Sequence, residues 1–178
     1  MVALKEMATK FQAIPLNRAV KVAAIKDALG DTATAGVLGL ADAEGSPLLG
    51  TTTNGGSTAS ATDSALFLVP VPGDYVPTSK IGIRARCKVS AARNTSATVD
   101  FTVKEHGDSL GSDVCATNAQ SINSTTLAWK YFSITPTGLI PGLSVLSIVI
   151  SLATDDTGAA ANGAASCTAL ALEYEGRY

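Results

Sequence analysis

The chain's only histidine, His106, sits in the quartet Glu105-His106-Gly107-Asp108. A histidine beside a carboxylate is the smallest acid–base unit, and a Ser–His–Asp hydrolase would have to use this one. The quartet closes an alternating apolar stretch, so it reads as a solvated strand end. Asp155-Asp156 with Asn162, and Asp108 with Asp113, offer oxygen atoms of the kind calcium takes. Neither set has the regular acidic spacing of a calcium loop, and both read as polar turns. No phosphate loop or dinucleotide fingerprint is present, and no Gly-x-Ser-x-Gly nucleophile elbow is expected. Cys87, Cys115 and Cys167 are widely spaced, with no Cys-x-x-Cys pair to hold zinc. Cys87 reads as a small buried hydrophobe in a protein made in a reducing cytoplasm. The expectation is a protein that is not an enzyme, with no catalytic residue, cofactor or metal.

One further pair carries chemistry. Trp129 and Tyr131 fall on one face of the aromatic strand Leu127 to Ile134 and would make a platform for stacking a sugar ring. Aromatic residues are only 5% of the chain and Trp129 is the single tryptophan, so core packing is the expectation and a glycan platform the alternative.

The elements that position these residues are short strands. In Ala97 to Lys104, Val99, Phe101 and Val103 alternate with Thr98, Asp100, Thr102 and Lys104, a period of two with one buried face and one wet face. In Lys80 to Val89, Ile81, Ile83, Ala85, Cys87 and Val89 alternate with Arg84, Arg86 and Lys88, a solvated face or a docking patch for an acidic partner. Leu146, Ile148, Ile150 and Leu152 share a face of Val145 to Leu152, as do Leu170, Leu172 and Tyr174 near the C-terminus. Leu66 to Val71 is apolar on both faces, and Pro70 is expected at a strand end or an edge. Glu105 to Thr126 reads as one long loop. Several such strands joined by long loops predict an all-β, jelly-roll-like antiparallel β-sandwich over residues 61–178.

Residues 1–60 read as an N-terminal extended arm and linker. Asn17 is placed to cap a short helix with Val20, Ala24, Ile25, Ala28 and Leu29 on one side and Gly30 as its stop, while Arg18 to Val22 reads equally as a strand. Leu4, Met7, Phe11, Ile14, Leu16 and Val20 would supply apolar anchors on a neighbouring subunit.

At 178 residues with 46% hydrophobic content, the chain can bury roughly 70% of its unfolded surface without a disulfide or metal. Charged residues are only 16% and the net charge is −2, which gives no electrostatic case for nucleic acid. The longest apolar run, Leu143 to Ala153, is too short to span a bilayer.

The segments Phe67-Leu68-Val69-Pro70-Val71-Pro72-Gly73-Asp74-Tyr75-Val76 and Trp129 to Gly142 give the chain a likeness in pattern to small virion proteins. Over residues 60 to 178 it resembles the jelly-roll capsid cement, or decoration, proteins of tailed bacteriophages. That resemblance implies homotrimers on the outer surface of the virion, assembled in the host cytoplasm. They would bind and bridge the major capsid protein through their arms and through Arg84, Arg86 and Lys88. The alternative is a carbohydrate- or receptor-binding sandwich of a tail, fibre or surface structure.

Overall fold

The computed structural model describes residues 6–22, 24–30, 33–43, 46–51, 60–91, 96–106, 110–155 and 163–178. It is an antiparallel β-sandwich, and no α-helix occurs among the described residues. The strands in chain order are β1 (Met7–Ile14), β2 (Val20–Lys21), β3 (Ala24–Ala28), β4 (Gly39–Ala43), β5 (Ser46–Gly50), β6 (Ala61–Pro70) and β7 (Ile81–Val89). They continue with β8 (Ser96–His106), β9 (Leu110–Asp113), β10 (Gln120–Ser121), β11 (Ala128–Ile134), β12 (Val145–Asp155) and β13 (Ala165–Arg177).

Sheet A has the order β11-β7-β13-β5-β4, with β1 also paired to β13. Sheet B has the order β10-β8-β12-β6-β2-β3, with β9 against β8. From β6 to β8, and again from β10 to β13, the chain changes sheet at every step. Of the described connections, β6–β7 buries Val71 and Tyr75 and β11–β12 buries Leu139 against the core.

The alternating residues face inward as their period requires. Ile81, Ile83, Ala85, Cys87 and Val89 meet Val99, Phe101, Val103, Leu146, Ile148, Ile150 and Leu152 in one buried cluster. Phe101 of sheet B and Phe132 of sheet A join the layers, with ring centroids 4.7 Å apart and planes at 64°. Such an edge-to-face pair adds about 1 kcal/mol to the burial of the rings themselves.

The N-terminal segment is built into this sandwich over its described length. β1 runs antiparallel to β13 from Met7↔Arg177 to Ile14↔Leu170. Lys10 Nζ reaches Asp74 Oδ2 at 2.6 Å and the Arg177 carbonyl at 2.8 Å, while the Tyr174 hydroxyl donates to Asp74 Oδ1 at 3.1 Å. Ile14, Leu16, Ala19, Leu29, Leu38 and Leu49 join the same core as the strands after residue 60. A single hydrophobic cluster therefore spans the boundary expected at residue 60.

In place of a helix from Asn17, the chain makes one 3₁₀ turn at Leu16–Arg18 and then enters β2 and β3. β-branched Val20, Val22 and Ile25 favour extended backbone, and Val20 pairs with Leu66 of β6, which outweighs the weak cap at Asn17.

The long segment after β8 is also more ordered than its sequence suggests. It contains β9 and β10, and Cys115 bridges to Ile134. Asp113 Oδ1 accepts the Val103 and Cys115 N–H groups at 2.8 and 3.0 Å. That aspartate serves the backbone, which accounts for its place in the loop.

Candidate functional site: an aromatic groove on sheet A

The outer face of sheet A is set by the phase of its strands. On β11, Phe132 and Ile134 point into the core, so Trp129, Tyr131 and Ser133 point out. Their cross-strand partners form three rows. Trp129 lies opposite Arg86, which lies opposite Ala169. Tyr131 aligns with Arg84, Ala171 and Ala13. Ser133 aligns with Gly82, Glu173 and Phe11. The large rings thus stand on the outer strands, Trp129 and Tyr131 on β11 and Phe11 on β1, with the arginines of β7 and with Ala169 and Ala171 of β13 between them. β11 and β1 are three strand spacings apart, about 14 Å. The result is an open groove of about 420 Å³ lined by Phe11, Arg84, Trp129 and Ala171.

Trp129 is 50% exposed and Phe11 60% exposed. The expectation that Trp129 packs in the core is therefore overturned. The signal was available in the strand itself: Phe132 and Ile134 fix the inward phase, and Trp129 is out of phase with both.

Beneath the rings lies a charged cluster. Glu173 is only 1% exposed. Its carboxylate accepts from Lys80 Nζ at 2.6 Å and from Arg84 Nε. The Arg84 guanidinium also sits 5.4 Å from the Tyr131 ring centroid and 6.0 Å from that of Phe11, and the Lys80 ammonium 4.8 Å from that of Tyr131. Arg84 is thus held by an anion and two aromatic faces, and only one of its N–H donors is used on Glu173.

Burial alone would raise the Glu173 carboxyl, but hydrogen bonds from Arg84 and Lys80 and their positive charges outweigh it and hold the group below its ordinary 4.5. A depressed folded pKa adds stability above the unfolded value, and that stability is lost as pH falls through the folded value. Melting temperature should therefore fall as the pH is taken below about 4.5. Glu173→Gln should melt lower at neutral pH and show a flatter acid limb. Parallel acid limbs for the two proteins would remove Glu173 as the source.

Gly82 shapes the groove by what it lacks. A Cβ there would stand 2.6 Å from the Phe132 carbonyl oxygen and 2.6 Å from the Tyr131 hydroxyl. The bare backbone lets the Tyr131 ring lie across β7 between Lys80 and Arg84. Gly82→Ala is expected to cost about 2–3 kcal/mol in urea unfolding, because the carbonyl of a paired strand cannot move aside. A cost near zero would mean that the Phe132 carbonyl does not approach the Gly82 Cα this closely.

The structure brings only some of the expected binding residues together. Phe11 and Arg84 line the groove, and Arg86 lies beside Trp129. Lys88 is outward on β7. Met7 is exposed at the start of β1. Ile14 and Leu16 are in this chain's own core and Val20 is half-buried in β2, because β1, β2 and the 3₁₀ turn between them pack within the chain. Leu4 lies outside the described residues.

Of the candidate acid–base groups, His106 is exposed at the end of β8, while Asp108, Asp156 and Asn162 lie outside the described residues. The expectation that the chain has no Gly-x-Ser-x-Gly stretch is corrected by Gly107-Asp108-Ser109-Leu110-Gly111, which matches that pattern in sequence. A nucleophile elbow needs a strand leading into a helix; here Leu110 opens β9, which runs antiparallel to β8. Among the described residues no three His, Cys, Asp or Glu side chains converge as a metal site would require.

A second depression, about 500 Å³, lies on the outer face of sheet B, lined by Val22, Leu66, Leu68, Thr102, Lys104, His106, Ser147 and Val149. It has no Phe, Tyr or Trp side chain.

No protein-family model matches the chain, and no curated protein matches it significantly. Among solved structures, the chain is similar to a carbohydrate-binding module, CBM4, with a TM-score of 0.40 and 16% identity over 76% of this chain and 88% of that one. It is also similar to the arabinose-bound α-L-arabinofuranosidase MgGH51, with a TM-score of 0.44 and 14% identity. That match covers 92% of this chain, which spans about a quarter (26%) of the length of the arabinofuranosidase chain.

Proposed function

We propose that the protein is a carbohydrate-binding β-sandwich whose recognition surface is the outer face of sheet A. The observation that carries this reading is the pair of exposed rings, Trp129 and Phe11, standing either side of an alanine floor with Arg84 between them. A pyranose has an apolar C–H face and a rim of hydroxyls. An aromatic plane takes the first, and guanidinium donors take the second. The groove is of the size that small-molecule sites usually have. A half-exposed tryptophan left uncovered in a chain so poor in aromatics is otherwise a cost in solubility.

Affinity electrophoresis through gels containing a panel of soluble polysaccharides tests the reading. Retardation by at least one of them is expected. Migration unchanged by every polymer in the panel would contradict it.

A second reading, a virion surface protein that contacts capsid subunits as a homotrimer, is favoured by the apolar outer face of sheet B, where Leu68 and Val22 are exposed. It calls for a solution mass near three protomers and co-sedimentation with empty phage heads. A monomer that stays in the supernatant would dismiss it.

A further inference from the structure

Cys87 and Cys167 are 80 positions apart in sequence and directly opposite in the sheet. They lie on β7 and β13, two neighbouring strands inside sheet A. The Ser90 N–H donates to the Ala164 carbonyl at 2.9 Å, which makes 90 and 164 a hydrogen-bonded pair. Stepping along the register through Val89↔Ala165 and Lys88↔Ser166 makes Cys87↔Cys167 a non-hydrogen-bonded pair. In such pairs the Cα atoms are about 4.5 Å apart and the side chains are at their closest, within the range a disulfide spans. The two side chains face the same side of the sheet, and in the reduced protein the Cys167 thiol donates to the Ala169 carbonyl at 3.4 Å. Cys87 is 1% exposed and Cys167 0%. Immediately after Cys167 the register shifts by one residue, giving β13 local freedom to adjust.

We propose that Cys87 and Cys167 are a cross-strand disulfide site that locks β7 to β13, with Cys115 left as the free thiol. The oxidant is a small-molecule disulfide of the glutathione class. One protein thiolate attacks a sulfur of the oxidant, forming a mixed disulfide and releasing one thiol. The second protein thiolate then displaces the other thiol, so one protein S–S bond forms, two protein S–H bonds are lost, and the oxidant leaves as two reduced molecules.

Burial sets when this happens. Neither thiol is open to the oxidant in the closed sandwich, and burial beside another thiol holds Cys87 in its unreactive protonated form. Oxidation therefore belongs to folding, before the second sheet covers the pair. Chain that folds reduced stays reduced; chain that folds with the oxidant present is locked.

The test is to refold the full chain from denaturant with oxidised and reduced glutathione, and separately to expose folded, reduced protein to the same buffer. The refolded sample should be lighter by two hydrogen atoms, titrate one free thiol, give a proteolytic peptide joining Cys87 to Cys167, and melt roughly 10 °C higher than the reduced form. The folded sample should keep three titratable thiols. Cys115→Ser should give the same bridge and no free thiol. Three free thiols after oxidative refolding, a bridge involving Cys115, or a bridge that lowers the melting temperature would each overturn the proposal. Rapid bridging in the folded sample would overturn its folding-coupled part.

Discussion

Trp129→Ala is expected to weaken glycan binding roughly thirtyfold or more while leaving the melting temperature within about 2 °C of the parent, since substitutions outside the core rarely cost more than about 0.5 kcal/mol. The ring is half-exposed on an edge strand and contributes little to the core. A central aromatic anchor is worth about 2 kcal/mol or more on truncation, roughly thirtyfold or more in affinity. Phe11→Ala should weaken binding by a smaller factor, because its ring is partly engaged by Arg84. Calorimetric titration with the polysaccharide that retards the protein most gives both numbers. A Trp129→Ala protein that melts far below the parent would return Trp129 to the core. One that binds unchanged would move the site elsewhere.

Phe101→Asp should leave the chain unfolded, whereas Thr102→Lys should melt like the parent. The two positions are adjacent on β8 and point to opposite faces. Phe101 is buried against Phe132 and pairs in register with Ile150. Placing a carboxylate there forfeits about 3–5 kcal/mol of packing and adds a desolvation cost of several more, together comparable to the whole stability of a domain. Thr102 faces out of sheet B, where a lysine stem can lie along the surface with its ammonium in water. Far-ultraviolet circular dichroism and thermal melts of the two variants separate the outcomes. Equal behaviour would mean that the faces of β8 are assigned the wrong way round.

These two experiments draw on opposite kinds of information in the chain. The faces of β7, β8, β12 and β13 were legible because each alternates over many residues, and a period of two leaves one register that buries the apolar set. Trp129 was legible in principle through Phe132 and Ile134, but scarcity of aromatics argued for the core and strand phase argued against it. Phase prevails because a one-residue shift would expose Phe132 and Ile134 instead.

The rest of the groove is a product of long-range pairing. Phe11 reaches it only because β1 pairs with β13, whose partner residues lie at the other end of the chain. No local pattern in Met7–Ile14 names that partner. The same holds for Cys87 with Cys167, and for Glu173, whose burial under Lys80 and Arg84 depends on β13 pairing with β7. Arg84, expected on a solvated face or a docking patch, is instead paired with Glu173 in the sheet and becomes a fixed element between two rings.

Because Trp129 is the only tryptophan, its emission reports on the groove alone. Titrating the protein with the polysaccharide identified by affinity electrophoresis, while following tryptophan fluorescence and binding heat together, tests the central claim directly. Emission should shift to shorter wavelength or quench in proportion to the heat, with one shared dissociation constant. Binding heat with tryptophan emission unchanged through saturation would show that the ligand sits elsewhere, and the account of sheet A as the recognition face would fail.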